Sequence, residues 1–112
     1  MAADLEELFA PGDAAAACAR LIELARSDTG QAAKVADFLL AWWNGEDNGH
    51  FPISHLANVD DEIARDMLII LSRIAMEPAM IYADAFGRGS DMEVLWHQWR
   101  APRDGKASRD EA

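Results

Sequence analysis

Between Gln31 and Asn44, in the stretch QAAKVADFLLAWWN, the chain leaves itself almost no polar surface. At about 100° per residue, Val35, Ala36, Phe38, Leu39, Leu40, Trp42 and Trp43 cover about 200° of a helix, and only a strip through Lys34, Asp37 and Ala41 faces away. Such a helix cannot lie on a surface; other elements must enclose it. Trp42 and Trp43 sharpen the point, because adjacent helical residues diverge by about 100°. Both are core anchors only if the helix is covered on two sides. Otherwise one stands at a rim, where tryptophan is enriched in binding hot spots.

The flanking sequence supplies the cover. Asp13 is a suitable N-cap for a helix from Ala14 to Arg26, on which Cys18, Leu21, Ile22 and Ala25 share one face. Arg20, Glu23 and Arg26 lie on its other side, spaced for weak surface pairing. Upstream, Leu5, Leu8 and Phe9 suggest a short helical turn that stops at Pro11-Gly12. Asn44-Gly45 closes the apolar helix, GEDNGHFP (Gly45 to Pro52) reads as an acidic loop, and Ser54 or Asn58 caps a brief turn around His55 and Leu56.

Asp60 then caps a helix from Asp61 to about Glu77, with Ile63, Met67, Ile70 and Ile74 facing the core and Leu71 widening that face. Asp61 with Arg65 and Arg73 with Glu77 are i,i+4 pairs on its wet side. Pro78 interrupts it, and Ala79 to Phe86 is expected to resume as helix before Gly87. The capping box Ser90-Asp91-Met92-Glu93 opens a last helix to about Arg100, with Met92, Leu95, Trp96 and Trp99 on one face and Glu93, His97 and Arg100 on the other. No strand periodicity or internal repeat is present. The expectation is all-α: a single compact domain, residues 1–102, of four to five main helices in an orthogonal or irregular bundle, with 103–112 as a flexible C-terminal tail.

Charge narrows the function. Twenty acids against ten bases give a net charge of −10, which repels phosphate backbones and anionic membrane surfaces, so direct nucleic-acid or membrane binding is disfavoured. The single Cys18 cannot form an intramolecular disulfide, the first ten residues are acidic rather than signal-like, and no apolar run approaches the roughly 20 residues of a membrane span. A cytoplasmic location is expected.

Chemistry-bearing patterns are missing. His50, His55 and His97 have no H-x-x-x-H or C-x-x-C context, and Asp47-Asn48-Gly49 lacks the D-x-D-x-D-G spacing of a calcium loop. Ser54, Ser72 and Ser90 stand outside any G-x-S-x-G motif, and Cys18 falls on a core face. Paired carboxylates occur only at loop and helix-start positions, where water solvates them, and those at the helix start also suit the dipole. The expectation is no metal, no cofactor and no enzymatic activity.

The acids themselves are unevenly placed: residues 31–62 hold six against one base, whereas 99–112 hold three against four. Because Gln31 to Asn44 is so apolar, the charge of that block concentrates in Glu46, Asp47, Asp60, Asp61 and Glu62, which flank one loop, with Trp43 beside them. One reading is solubility. The other is a lure of carboxylates arrayed like phosphates for the basic groove of a nucleic-acid-handling protein.

The segment SDTGQAAKVADFLLAWWN (Ser27 to Asn44), followed by Phe51, Leu56, Val59-Asp60, Ile63-Ala64, Asp66-Met67-Leu68, Tyr82 and Trp99-Arg100, resembles a family of small bacterial proteins of uncharacterised function often found on plasmids and integrative elements. The likeness covers about residues 27–102, with F-L-L-A-W-W-N its most distinctive block. It implies no activity, cofactor or catalytic residue. It does imply a mobile-element accessory protein, a class that includes small, acidic, non-enzymatic inhibitors of host defence such as anti-CRISPR and anti-restriction proteins. The expected function is therefore inhibition of a nucleic-acid-handling defence complex through Glu46, Asp47, Asp60, Asp61, Glu62 and Trp43, with a CRISPR effector or another nucleic-acid-binding protein as partner. The alternative is a small helical oligomerisation or protein-interaction module with no nucleic-acid connection. The protein would be a monomer or a homodimer.

Overall fold

The computed structural model describes residues 13–100. The expected turn around Leu5, Leu8 and Phe9 and the tail 103–112 lie outside the described residues. Four α-helices follow one another, α1 (Ala14–Ala25), α2 (Gly30–Asn48), α3 (Asp61–Met76) and α4 (Gly89–Trp99), with 3-10 segments at Ile53–Asn58 and Ala83–Phe86. No strand occurs among the described residues, so the fold is all-α.

The enclosure that α2 demands is present: from Gln31 to Trp43 no residue is exposed, and Ala32, Val35, Ala36, Leu39 and Leu40 are fully buried. Thr29 starts the helix by accepting the Ala32 N–H at 3.1 Å on its Oγ1. The helix that reaches every other is nevertheless α1, which packs against α2, α3 and α4. Its buried face of Ala14, Ala17, Cys18, Leu21, Ile22 and Ala25 is rich in small residues that let neighbours approach closely. Its far side is tied outward, against the expectation of pairing within the helix. The Arg20 fork donates to both oxygens of Asp66 on α3 at 3.0 and 2.8 Å, and Arg26 lies 3.9 Å from Asp91 on α4.

The structure corrects the expectations at Asn44, Leu71, Pro78, the start of α4 and the Asp61–Arg65 pair. Asn44 does interrupt α2, with non-helical φ −164° and ψ 87°, yet a further turn follows to Asn48 before Gly49 at φ 94°. The Asn44 side chain makes this turn possible: its Oδ1 accepts the Asp47 N–H at 3.3 Å while its Nδ2 donates to the Asp47 carboxylate at 2.9 Å, a cap in mid-chain. Leu71 does not widen the core face of α3 but is 41% exposed; Asp66, Ile69 and Ser72 are buried instead. The Arg20–Asp66 pair shows why, because it turns that side of α3 towards α1. Pro78 lies in a bend followed by irregular chain and the 3-10 turn Ala83–Phe86 rather than by a resumed helix, and α4 begins at Gly89, ahead of the Ser90 capping box. Gly87, at φ 75° and ψ 23°, and an Arg88 N–H bond to the Ala83 carbonyl turn the chain early, so Ser90 falls inside the first turn. The expected Asp61–Arg65 pair is not formed, while Arg73–Glu77 is.

Cys18 has no solvent exposure. Burial pushes its thiol from the ordinary 9.0 up to about 11, with Arg88 opposing and Asp91 assisting to a lesser degree. Between those values the unfolded chain has lost the thiol proton and the folded chain keeps it, so stability falls as pH rises from 9 to about 11. Unfolding of the protein and of Cys18→Ala, followed across that window, should show the variant losing about 2–3 kcal/mol less than the parent.

Candidate functional site

The carboxylates that the sequence groups around one loop are split by the fold into two sets. Gln31, in the first turn of α2, grips Asp60: its Nε2 donates to the Asp60 carboxylate at 3.1 Å and its Oε1 accepts the Asp60 N–H at 2.7 Å. Asp60, Asp61 and Glu62 therefore sit at the start of α3, beside the N-terminal end of α2, where with Val59 they line a shallow depression. Glu46 and Asp47 sit in the last turn of α2. At 1.5 Å per residue the straight part of that helix holds the two sets roughly 20 Å apart. Asp60 is an N-cap by position, but its side chain bonds Gln31 rather than the helix, and the first turn keeps Asp61 and Glu62 as dipole partners.

Around Asp47 the structure builds a cleft of about 750 Å³ between the end of α2 and one side of α4, walled by Trp43, Asp47, Glu93, Trp96 and His97. Trp43 is half-buried, so it stands at the rim, whereas Trp42 belongs to the core and donates its indole N–H to the Ile81 carbonyl at 2.9 Å. Glu46 is exposed near this cleft in sequence but does not line it. The sequence does not point to Glu93 and His97 as site residues, because their face of α4 reads as plain solvated surface. The signal lay in Trp96, which follows Glu93 by about 300° and so borders that polar face rather than facing squarely inward. Its ring meets the His97 ring edge-on at 5.1 Å.

The cleft is held open by contacts that the sequence did not suggest. Asn48, buried, donates through Nδ2 to the Leu40 carbonyl across the interruption of α2, at 3.4 Å. Arg100 donates from Nε to the Asn48 carbonyl at 2.9 Å and from its terminal nitrogen to Asp37. The arginine that simple reasoning assigns to finishing α4 thus clamps α4 to both parts of α2.

Elsewhere, Ile53, Leu71 and Met80, 81%, 41% and 50% exposed, edge an apolar groove of about 440 Å³ floored by Phe38, Trp42 and Phe51. Phe51 packs edge-on against Phe38 at 5.4 Å and against His55 at 5.7 Å, and His55 Nδ1 is buried without a hydrogen-bond partner among the described residues. Among the described residues, no three His, Cys, Asp or Glu side chains are placed to share a metal ion. No helix among them is long and apolar enough to cross a membrane.

Charge is distributed more sharply than the sequence total conveys. Among the described residues Arg20, Arg26, Arg73, Arg88 and Arg100 are all tied to Asp66, Asp91, Glu77 or Asp37. Glu46, Asp47, Asp60, Asp61, Glu62 and Glu93 are exposed and make no ion pair among those residues. Pairing thus engages every described cation but Lys34 and Arg65, and leaves these carboxylates outside.

No curated protein and no solved structure matched the chain. A family model does match, over residues 15–100, the span that contains all four helices and both carboxylate sets except for the first residue of α1. That match covers well over half of the 112 residues, and the chain belongs to a family of unknown function (DUF7673).

Proposed function

We propose that the protein is a non-enzymatic acidic binding protein that occupies the basic groove of a nucleic-acid-handling partner. In its finer form the proposal is a mobile-element accessory protein, anti-CRISPR-like or anti-restriction-like, acting in the cytoplasm on a host defence complex. The observation that carries the reading is the asymmetry of pairing: among the described residues five of the seven cations are engaged by carboxylates, while ten exposed carboxylates, the two sets at the ends of α2 and Glu93 among them, make no ion pair. Exposed charge of one sign steers association with a surface of the other and can raise on-rates by about 10–1000-fold at low salt. The split of the carboxylates is compatible with such a groove, since roughly 20 Å is the axial rise of about six base pairs of duplex. A gel-shift competition tests it: saturating protein should lower nucleic-acid binding by a candidate CRISPR effector, and the effect should weaken as salt rises. If the protein neither binds nor impairs the effectors tested, the CRISPR form of the proposal fails.

One observation favours a second reading. Ile53, Leu71 and Met80 border an apolar groove of the kind that pairs two copies of a chain in a small oligomerisation module. Light scattering during size exclusion decides this. A strict monomer at micromolar concentration removes the homodimer.

A further inference from the structure

We infer that the cleft between the last turn of α2 and α4 is a receptor for an arginine side chain projected by the protein partner. This deepens the proposed function, and it rests on that reading in taking the partner surface to be basic.

Three features of the cleft converge on a guanidinium. Trp43 is a wall shared by two depressions: it lines the cleft with Asp47 and Glu93, and it lines a second depression of about 480 Å³ with Met80, Tyr82 and Asp84. An indole open to both offers the π-face on which a planar cation stacks, and tryptophan is the strongest aromatic partner for it. Trp96 supplies a second indole across the same space. Asp47 and Glu93 then provide the counter-charge from the two helices that form the cleft, and neither is ion-paired among the described residues. The Asp47 carboxylate is held in place by Asn44 at 2.9 Å, so little side-chain freedom is lost when a donor fork meets it.

Arginine suits this combination better than lysine. Its flat, weakly hydrated guanidinium can stack on an indole and present two N–H groups to a carboxylate at once, whereas an ammonium is a compact, strongly hydrated point charge. The cleft has the volume of a typical ligand pocket, enough for the side chain and part of its flanking peptide.

The probe is the peptide acetyl-Ala-Ala-Arg-Ala-Ala-amide, titrated into the full chain and followed through the indole N–H resonances of the four tryptophans. The same peptide carrying citrulline, which keeps the shape and removes the charge, is the control. The arginine peptide should shift the Trp43 and Trp96 signals saturably. Those of Trp42 and Trp99, whose N–H groups are bonded to the Ile81 and Ala25 carbonyls, should stay in place. The citrulline peptide should bind at least about tenfold more weakly, and so should the arginine peptide to an Asp47→Asn, Glu93→Gln variant, whose two substituted residues are exposed and leave the core untouched. Absence of a saturable shift, equal binding of citrulline, or indifference to the double substitution overturns the inference. Failure here with displacement of nucleic acid intact rejects the cleft alone. Peptide binding with no displacement by the whole protein rejects the proposed function alone.

Discussion

Leu39→Ala should lower the free energy of unfolding by about 2–5 kcal/mol, seen as a fall in the urea midpoint with an unchanged slope. Leu39 has no exposure and lies on the helix that the whole fold is arranged to enclose, so removing its isobutyl group loses transfer free energy and leaves a cavity the neighbours only partly fill. Against a total stability of about 5–15 kcal/mol for a domain of this size, that is a large fraction. Leu71→Ala is the informative contrast. The sequence places Leu71 on the core face of α3 and the structure places it at the edge of the apolar groove, so its loss should cost under about 1 kcal/mol. Equal costs for the two substitutions would contradict the packing described above.

Trp42→Ala carries the second large effect, about 3–5 kcal/mol, and a local signature that Leu39→Ala lacks. The indole fills the space beside Phe86, with ring centroids 6.4 Å apart, and its N–H fastens the irregular chain after Pro78 through the Ile81 carbonyl. Residues 77–82 should therefore lose hydrogen-exchange protection in Trp42→Ala well beyond the change in global stability. Trp42→Phe keeps most of the apolar volume and removes the donor. It should cost about 1–3 kcal/mol and reproduce the local loosening in milder form.

Much of the fold was legible because α1 and α2 have faces that only one arrangement satisfies. Cys18, Leu21, Ile22 and Ala25 point inward as their spacing requires, and the helix Gln31 to Trp43 is enclosed because it offers water nothing. What failed was decided between elements. Asn44-Gly45 reads as a helix stop, and it is one locally; the further turn depends on Asn44 capping Asp47 and on Asn48 and Arg100 bracing it from α2 and α4. Leu71 and Asp66 compete for the inner side of α3, and an ion pair with Arg20, 46 residues away, settles the rotation in favour of the aspartate.

The candidate site shows the same division. Its acidic residues were readable from composition by segment, since an apolar α2 forces the charge of that region into its flanks. Their partition into two sets was not, because it follows from the Gln31–Asp60 contact across 29 residues. Glu93 and His97 enter the cleft only because α4 docks beside the end of α2, and apart from Trp96 at the border of their face the neighbouring sequence carries no trace of that docking.

The claim on which the functional reading stands is that the outward carboxylates at the two ends of α2 make the contact with a basic partner. Its most direct test is capture from a lysate of the native host, without nuclease, by the protein and by a variant carrying Glu46→Gln, Asp47→Asn, Asp60→Asn, Asp61→Asn and Glu62→Gln, all at exposed positions. The predicted result is a nucleic-acid-binding protein retained by the parent, released from its nucleic acid on binding, and held at least about tenfold more weakly by the variant. A partner retained equally by both proteins, or one that still carries its nucleic acid when bound, would contradict it.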